Sequence, residues 1–162
     1  MGLGTQIRLR RLFAHPSGRL FGIAVDHFIG YGEVRVGGDY SGEVPVIRFV
    51  PEEIAWAVRC GVETGVDVIK VGHSGELAAF AEIVASAPVP VVVAGGPRTE
   101  TIREGLTFTA DALRAGAVGA VVGRNIWGVE DMESVAAAYR AVIHDSANPE
   151  QALASVRPGG DT

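Results

Sequence analysis

The chain has 162 residues, of which 48% are hydrophobic and 20% charged, with 22 glycines and a net charge of −5 at pH 7. That length accommodates one domain with a real hydrophobic core, and the glycine content is typical of a turn-rich α/β protein. The acidic balance argues against a nucleic-acid or anionic-membrane surface. No apolar run is long enough to span a bilayer and no signal-peptide pattern is present, so we expect a cytoplasmic protein.

The first 50 residues contain one segment that is typical of a buried strand. Residues 1–19 form a polar lead-in with a short helix, and the continuous apolar run 20–25 then predicts the strand. Residues 30–50 combine many glycines with polar and aromatic residues and show no helical period. They therefore predict a loop, with a short strand at 44–49.

A helix is predicted directly after this loop. Pro51 suits the first helical position, and Gly65 ends the helical pattern. The single cysteine, Cys60, lies on this helix, and we expect it to be a buried structural thiol. Because there is no second cysteine, no intrachain disulfide can form.

The rest of the chain repeats a strand–loop–helix unit three times. The predicted strands are 66–71, 89–94 and 118–122, and the predicted helices are 75–86, 101–115 and 131–144. A short helix from Pro149 precedes a frayed tail at 156–162. Parallel strands joined by right-handed crossovers are the expected arrangement, within one domain over residues 1–162.

Lys70 is the only lysine, beside thirteen arginines, and it lies inside the Val/Ile run 66–71. A parallel strand is normally covered on both faces, so we expect the Lys70 amine to be desolvated. A desolvated lysine can lose its proton and act as a nucleophile, whereas arginine stays protonated. The sequence therefore favours a Schiff-base lysine at the mouth of an α/β barrel. The alternative is a lysine whose amine snorkels into water.

Each predicted strand ends in polar or glycine-rich residues, and the carboxyl ends of parallel strands meet at one edge. The segments are 26–27, 72–75, 95–98 and 123–125. Glycine lets backbone N–H groups approach an anion, and the N-terminus of a following helix adds positive potential, so 95–98 and 123–125 predict a phosphate site. Ordinary turns are the alternative for these two segments, and a helix cap with a packed histidine is the alternative for 26–27.

Three segments in fixed order resemble one known family. They are 67–71 (DVIKV), 89–99 (VPVVVAGGPRT) and 119–127 (GAVVGRNIW). These segments resemble the DhnA-type, or archaeal-type, class I fructose-bisphosphate aldolases, and the similarity runs from about residue 51 to residue 153. Residues 4–33 are similar to the start of that family.

The resemblance implies a shortened TIM barrel. The middle strands of that barrel would fall between residues 33 and 51, where this chain has no room for them. The expected fold class is therefore α/β, with about four to five parallel strands forming a half-barrel.

The resemblance also assigns roles to matching residues. Lys70 would form an imine with a phosphorylated ketose such as fructose 1,6-bisphosphate or dihydroxyacetone phosphate, and Asp26 would be the first-strand carboxylate beside the reacting carbonyl. The substrate phosphate would be held by Gly95, Gly96, Gly123 and Arg124. Accessory candidates are His27, His73 and Ser74. No cofactor and no metal are implied, and the acid/base tyrosine of the family has no counterpart here.

A half-barrel would leave two strand edges and an apolar interior uncovered. We therefore expect a homo-oligomer in which a second copy completes the ring. The expected function is aldol cleavage or condensation of a sugar phosphate. The alternatives are a related family reaction (acyl transfer or transaldol chemistry), a non-catalytic phosphate-binding remnant that acts by binding or assembly, and an open flavodoxin-like sheet that binds a phosphate ligand.

Overall fold

Four parallel strands form one sheet in the part of the chain that the structure describes. This structure is a computed structural model, and it describes residues 2–25 and 50–156. The strands are β1 (Leu20–Ile23), β2 (Ile69–Val71), β3 (Val91–Ala94) and β4 (Gly119–Val122), in the spatial order β1-β4-β3-β2. Every neighbouring pair is parallel.

Helices alternate with these strands along the chain. They are α1 (Leu3–Leu12), α2 (Pro51–Glu63), α3 (Leu77–Ser86), α4 (Ile102–Arg114), α5 (Arg124–Trp127), α6 (Met132–His144) and α7 (Pro149–Leu153). The expected α/β fold, a partial TIM barrel of parallel strands, is confirmed. The predicted strand at 44–49 and the loop around it lie outside the described residues, as do Asp26, His27 and all of the tail beyond Val156.

The helix boundaries follow from capping residues. Thr101 accepts a hydrogen bond from the Glu104 N–H while the Glu104 carboxylate accepts from the Thr101 N–H, so α4 begins with a complete capping box. The Asp131 side chain caps α6 in the same manner by accepting from the Ser134 N–H. These local hydrogen bonds satisfy N–H groups at the start of each helix without a tertiary contact.

The prediction for Cys60 is wrong, because this thiol is exposed. The buried side chains of α2 are Ile54 and Val58, one helical turn apart, and they define the face that packs on the sheet. Cys60 lies two residues beyond Val58, away from that face. Trp56 is also turned outward and is 69% exposed.

The hydrophobic core lies on one face of the sheet. Strand residues Ile69, Val93, Ala120 and Val122 belong to the same buried cluster as Phe80 of α3, Leu106 of α4 and Tyr139 of α6. Alternate residues of a strand point to opposite faces. The side chains of Lys70, Val92 and Val121 therefore point away from the helices and lie outside that cluster, although Val92 is also buried, at 2% exposed.

Helix α1 is attached near the start of β2. The Arg8 guanidinium forms an ion pair with the Asp67 carboxylate, and this hydrogen-bonded pair lowers the pKa of Asp67. None of the described helices is both long enough and apolar enough to cross a membrane.

The Tyr139 hydroxyl of α6 lies against Gly105 of α4, so substitutions at these two residues test the packing between the helices. This hydroxyl is buried with no hydrogen-bond partner among the described residues, and a Cβ added at Gly105 would collide with it. We expect Tyr139→Phe to raise the free energy of unfolding by about 1 kcal/mol, because an unsatisfied buried hydroxyl is removed. Gly105→Ala should destabilise the wild-type chain by about 1–3 kcal/mol through overpacking.

Chemical denaturation of the two single variants and the double variant measures both effects. In the Tyr139→Phe background, Gly105→Ala should cost much less, since the colliding atom is gone. Equal costs in the two backgrounds would contradict the contact.

Candidate active site

Three polar or glycine-rich loops lie at the carboxyl edge of the sheet, after β2, β3 and β4. Because β3 and β4 are neighbours, the loops that begin at Gly95 and Gly123 lie side by side. Lys70 lies on β2, next to β3 on one side of this pair. Strand β1, which leads towards Asp26, lies next to β4 on the other side. The predicted common edge is confirmed for these three loops, whereas Asp26 and His27 lie outside the described residues.

Lys70 is exposed, which corrects the prediction of a buried lysine. In the sheet it is aligned with Val92 of β3, which is only 2% exposed although it points to the same face. Lys70 differs from Val92 in lying on the edge strand β2, where no further described strand flanks it. Among the described residues, no carboxylate forms an ion pair with Lys70. The amine is therefore reachable, and no described group holds it in place.

His73 lies in the helix layer and not beside Lys70. Its ring is 7% exposed and packs against Phe80 at 4.5 Å and Phe108 at 5.2 Å between ring centroids. The His73 Nδ1 accepts the Gly75 N–H at 2.8 Å, which assigns the proton of the neutral ring to Nε2. Burial lowers the pKa of His73, and the negative charge of Asp111 opposes that shift only in part.

Ser74 is engaged in its own turn. Its hydroxyl accepts the Glu76 N–H at 3.3 Å and lies 3.5 Å from the Glu76 carbonyl oxygen. The described contacts of Ser74 and His73 are thus with their own loop and with the helix layer. They give neither residue a contact with Lys70.

The loop after β3 requires glycine at its first two positions for different reasons. At Gly95, a Cβ would lie 2.9 Å from the Cα of Val122, so only glycine permits this approach of β3 to β4. At Gly96, φ is +72°, a conformation that side chains rarely adopt. The Gly95 N–H donates to the Val121 carbonyl at 2.8 Å, so this N–H is used within the sheet and is not free to bind an anion.

Asn125 holds this loop through three hydrogen bonds, and sequence reasoning, which placed it in the segment 123–125, did not single it out as a site residue. Its Nδ2 donates to the carbonyls of Gly95 at 3.0 Å and Pro97 at 3.1 Å. Its Oδ1 accepts from the Thr99 N–H at 2.9 Å and contacts the Thr99 hydroxyl at 3.4 Å. The only sequence signal was an amide side chain directly after Gly123 and Arg124.

The turn after β4 is the short helix α5, which the sequence predicted only as a turn. Its Trp127 donates an indole hydrogen bond to the Ala24 carbonyl at 2.9 Å, so the turn is tied to the end of β1. Arg124 is half-buried, and within the described residues neither Arg124 nor Arg98 forms an ion pair. Two arginines therefore lie next to the paired glycine loops, where they favour an anion.

The N-terminus of α4 does not add to this positive potential as expected. The Glu104 carboxylate accepts from the N–H groups of Glu100 at 3.0 Å and Thr101 at 3.3 Å. These donors are satisfied within the protein, and the carboxylate offsets the helix dipole. An anion at this edge would depend on the arginines and on the turn at Gly123.

Comparison with known proteins identifies this architecture. A profile of the DeoC/LacD family of aldolases matches residues 35–128, more than half of the chain. The chain belongs to the DeoC/LacD aldolase family. The matched segment contains Lys70, both glycine loops and Arg124, so each lies within the part of the sequence that defines membership.

Relatives of this family member share its central segment. The chain is 38% identical over 115 residues to an uncharacterized aldolase of Saccharolobus solfataricus, covering 71% of this chain and 40% of the relative. It is 43% identical over 96 residues to the 2-amino-4,5-dihydroxy-6-oxo-7-(phosphonooxy)heptanoate synthase of Streptomyces griseus, covering 59% and 35%.

A solved structure gives the same result for the fold. It is an archaeal fructose-1,6-bisphosphate aldolase with the catalytic Lys covalently bound to the carbinolamine intermediate of the substrate. The match has a TM-score of 0.59 and 36% identity, and covers 64% of this chain and 41% of that one. The resemblance to archaeal-type class I aldolases is thereby confirmed. The chain spans well under half the length of each of these relatives.

The lowered pKa of His73 predicts how stability depends on pH. An unfolded histidine has a pKa near ~6.5, so below that pH the unfolded state binds more protons on His73 than the folded state does. The contribution of His73 is therefore fully present above about pH 7 and is lost as the pH falls through ~6.5. We expect His73→Gln to flatten the decline in unfolding free energy between about pH 7 and about pH 5.

Urea denaturation at several pH values measures this slope. Part of the slope belongs to His144, whose pKa is lowered by burial and by the neighbouring His15, so the comparison variant is His144→Gln. An unchanged slope in His73→Gln would contradict the assignment.

Proposed function

We propose that this chain is a class I aldolase that acts on a phosphorylated ketose through a Schiff base on Lys70. The observation that carries the proposal is positional. The only lysine lies on β2, next to the first of two adjacent strands that end in glycine loops, in a member of an aldolase family. The arginines of these loops form no ion pair with any described residue. Each of these elements has a part in the chemistry of a sugar phosphate.

The proposed reaction begins with attack of the neutral Lys70 amine on the ketone carbon. Loss of water converts the resulting carbinolamine to an iminium ion. Cleavage of the neighbouring carbon–carbon bond releases an aldehyde, and the electron pair of that bond passes into the iminium to give an enamine. Protonation and hydrolysis of the enamine then free the second product and regenerate the amine. In this proposal, Asp26 is the carboxylate beside the reacting carbonyl.

The proposed phosphate site comprises Gly95, Gly96, Gly123 and Arg124. Gly95 and Gly96 allow the loop after β3 to follow its path close to Val122 and Phe108, while the half-buried Arg124 supplies a positive charge. The named product of the Streptomyces griseus relative carries an oxo group next to a phosphonooxy-bearing carbon, and the archaeal relative is a fructose-1,6-bisphosphate aldolase. Dihydroxyacetone phosphate contains the same ketone and phosphate arrangement, which makes it a suitable probe of this chain.

Borohydride trapping tests the proposal directly. We expect the chain, treated with dihydroxyacetone phosphate and borohydride, to carry a stable adduct that peptide mass mapping assigns to Lys70. Lys70→Arg keeps the positive charge but cannot form an imine, so the adduct should be lost completely. An adduct elsewhere, or none in the wild type, would overturn the assignment of Lys70.

A phosphate-binding protein without catalysis is the second candidate. It is favoured by the exposure of Lys70, whose amine no described residue encloses, and by the short coverage of the relatives. This candidate predicts saturable binding of phosphate with no adduct on Lys70. A related family reaction, in contrast, would keep the adduct and differ in the ketone or aldehyde that is consumed.

A second copy of the chain is the proposed cover for the open edges. In the described part of the chain β1 and β2 are the edge strands, and exposed apolar side chains lie beside both of them. Ile23, Val25 and Met132 are 47%, 65% and 50% exposed near β1, and Val66, three residues before β2, is 38% exposed. Pairing β1 of one copy with β2 of the other would close an eight-stranded ring.

Light scattering coupled to size exclusion tests this assembly. We expect a mass twice that of the single chain, and we expect Val25→Asp to shift the mass towards the monomer because a charge at the joined edge must be desolvated. Leu77→Asp, a matched change on α3 in the outer helix layer, should leave the dimer intact. A monodisperse wild-type monomer would rule the dimer out.

A further inference from the structure

Asn125 connects the two loops that form the proposed phosphate site. Its side chain is 7% exposed and lies on α5, directly after Gly123 and Arg124. From there it bonds to residues 26 to 30 positions earlier in the chain, in the loop 95–99. One side chain therefore bridges the loop after β3 and the turn after β4.

The chemistry of this bridge suits an amide. The carbonyls of Gly95 and Pro97 need a donor, while the Thr99 N–H needs an acceptor, and only an amide of this length offers two donors and an acceptor together. Within the described residues, no other side chain bonds to these three backbone groups. Loss of the amide would leave them without their partners, and two of the three, at Gly95 and Thr99, belong to half-buried residues.

The bridge is also anchored on both sides. The Thr99 hydroxyl donates to the Thr101 carbonyl at 2.8 Å, so the end of the loop is joined to the start of α4. The Trp127 indole donates to the Ala24 carbonyl, which joins α5 to the end of β1. The distance between Gly96 and Arg124 is thus set by hydrogen bonds inside the protein, before any ligand binds.

We propose that Asn125 is a positioning residue, which presets the gap between the two loops so that a phosphate group fits it. This inference rests on the phosphate site of the proposed function. Asn125 does not need to touch the ligand, because its donors and acceptor are occupied by the loop. Its effect is preorganisation: without the bridge, part of the binding free energy of phosphate is spent on ordering the loop.

A preset gap should act on phosphate recognition and not on the amine chemistry of Lys70. For dihydroxyacetone phosphate, loss of the bridge should raise the concentration that half-saturates trapping at Lys70, with little change in the rate at saturation. For dihydroxyacetone, which has no phosphate, trapping should be unchanged. A role of Asn125 in general folding would instead lower trapping of both compounds alike.

The test uses the full chain with Asn125→Ala and Asn125→Asp. Isothermal titration with inorganic phosphate should show binding weakened by about tenfold or more in both variants, the scale expected for one buried group left unsatisfied. Asn148→Asp is the matched control, since it makes the same charge change but keeps an acceptor for the Glu150 N–H at the start of α7. It should bind phosphate as the wild type does.

Each outcome decides the proposal. Weakening in Asn125→Asp alone would show an effect of charge and overturn it, as would wild-type affinity in Asn125→Ala or no phosphate binding by the wild type. Phosphate binding without trapping at Lys70 would overturn the aldolase proposal. The role of Asn125 would still be decided in that case, because the phosphate titrations of its variants do not depend on trapping.

A measurement on the wild type covers the case in which the variants do not fold. Amide hydrogen exchange at Thr99 should already be slow without phosphate, because its N–H is bound to Asn125. Fast exchange that becomes slow only when phosphate is added would mean that the ligand, and not Asn125, orders the loop.

Discussion

The packing of helices against one face of the sheet is the constraint on which the rest of the structure depends. Strand side chains alternate between this face and the opposite one, so Ile69 and Val93 pack with the helices whereas Lys70 and Val92 point the other way. On that opposite face Val92 of the inner strand β3 is only 2% exposed, while Lys70 of the edge strand β2 is exposed. The environment of the amine therefore depends on its place at the edge of the sheet, and the sequence of β2 has little influence on it.

Side-chain hydrogen bonds fix the loops at the carboxyl edge of the sheet, where the backbone hydrogen bonds between strands end. Asn125 fixes the loop after β3, Trp127 fixes the turn after β4, and Glu104 satisfies the N–H groups at the start of α4. None of these contacts involves Lys70. The proposed phosphate site and the proposed nucleophile thus depend on different parts of the chain, and one can be intact without the other.

Sequence reasoning predicted the helices well and the strands approximately. The starts of α2, α4, α6 and α7 depend on local residues, such as the Thr101–Glu104 capping box, which can be recognised in the sequence. The strands β2 and β3 are shorter than predicted because valine runs continue beyond the hydrogen-bonded ladder. Periodicity gives the type of element and leaves its ends uncertain by a few residues.

The misplaced site residues share another cause. The Val/Ile run around Lys70 does not reveal whether a second layer of structure covers the amine. Cys60 was predicted to be buried because it follows apolar residues, but the buried face of α2 is formed by Ile54 and Val58. Asn125 bonds to a loop 26 to 30 residues earlier in the chain, and His73 packs against a ring of α4. No local sequence pattern shows either contact. Residues whose roles come from tertiary contacts need the structure to be identified.

The exposure of Lys70 has a practical consequence, because this residue is also the only lysine of the chain. Reagents that modify amines have one side-chain target here, besides the N-terminal amine. A fluorophore or cross-linker attached to the Lys70 amine would lie at the edge strand β2, and molecules coupled through this side chain would all be held in the same orientation. A chain with one lysine and thirteen arginines thus offers a single side-chain position for amine coupling.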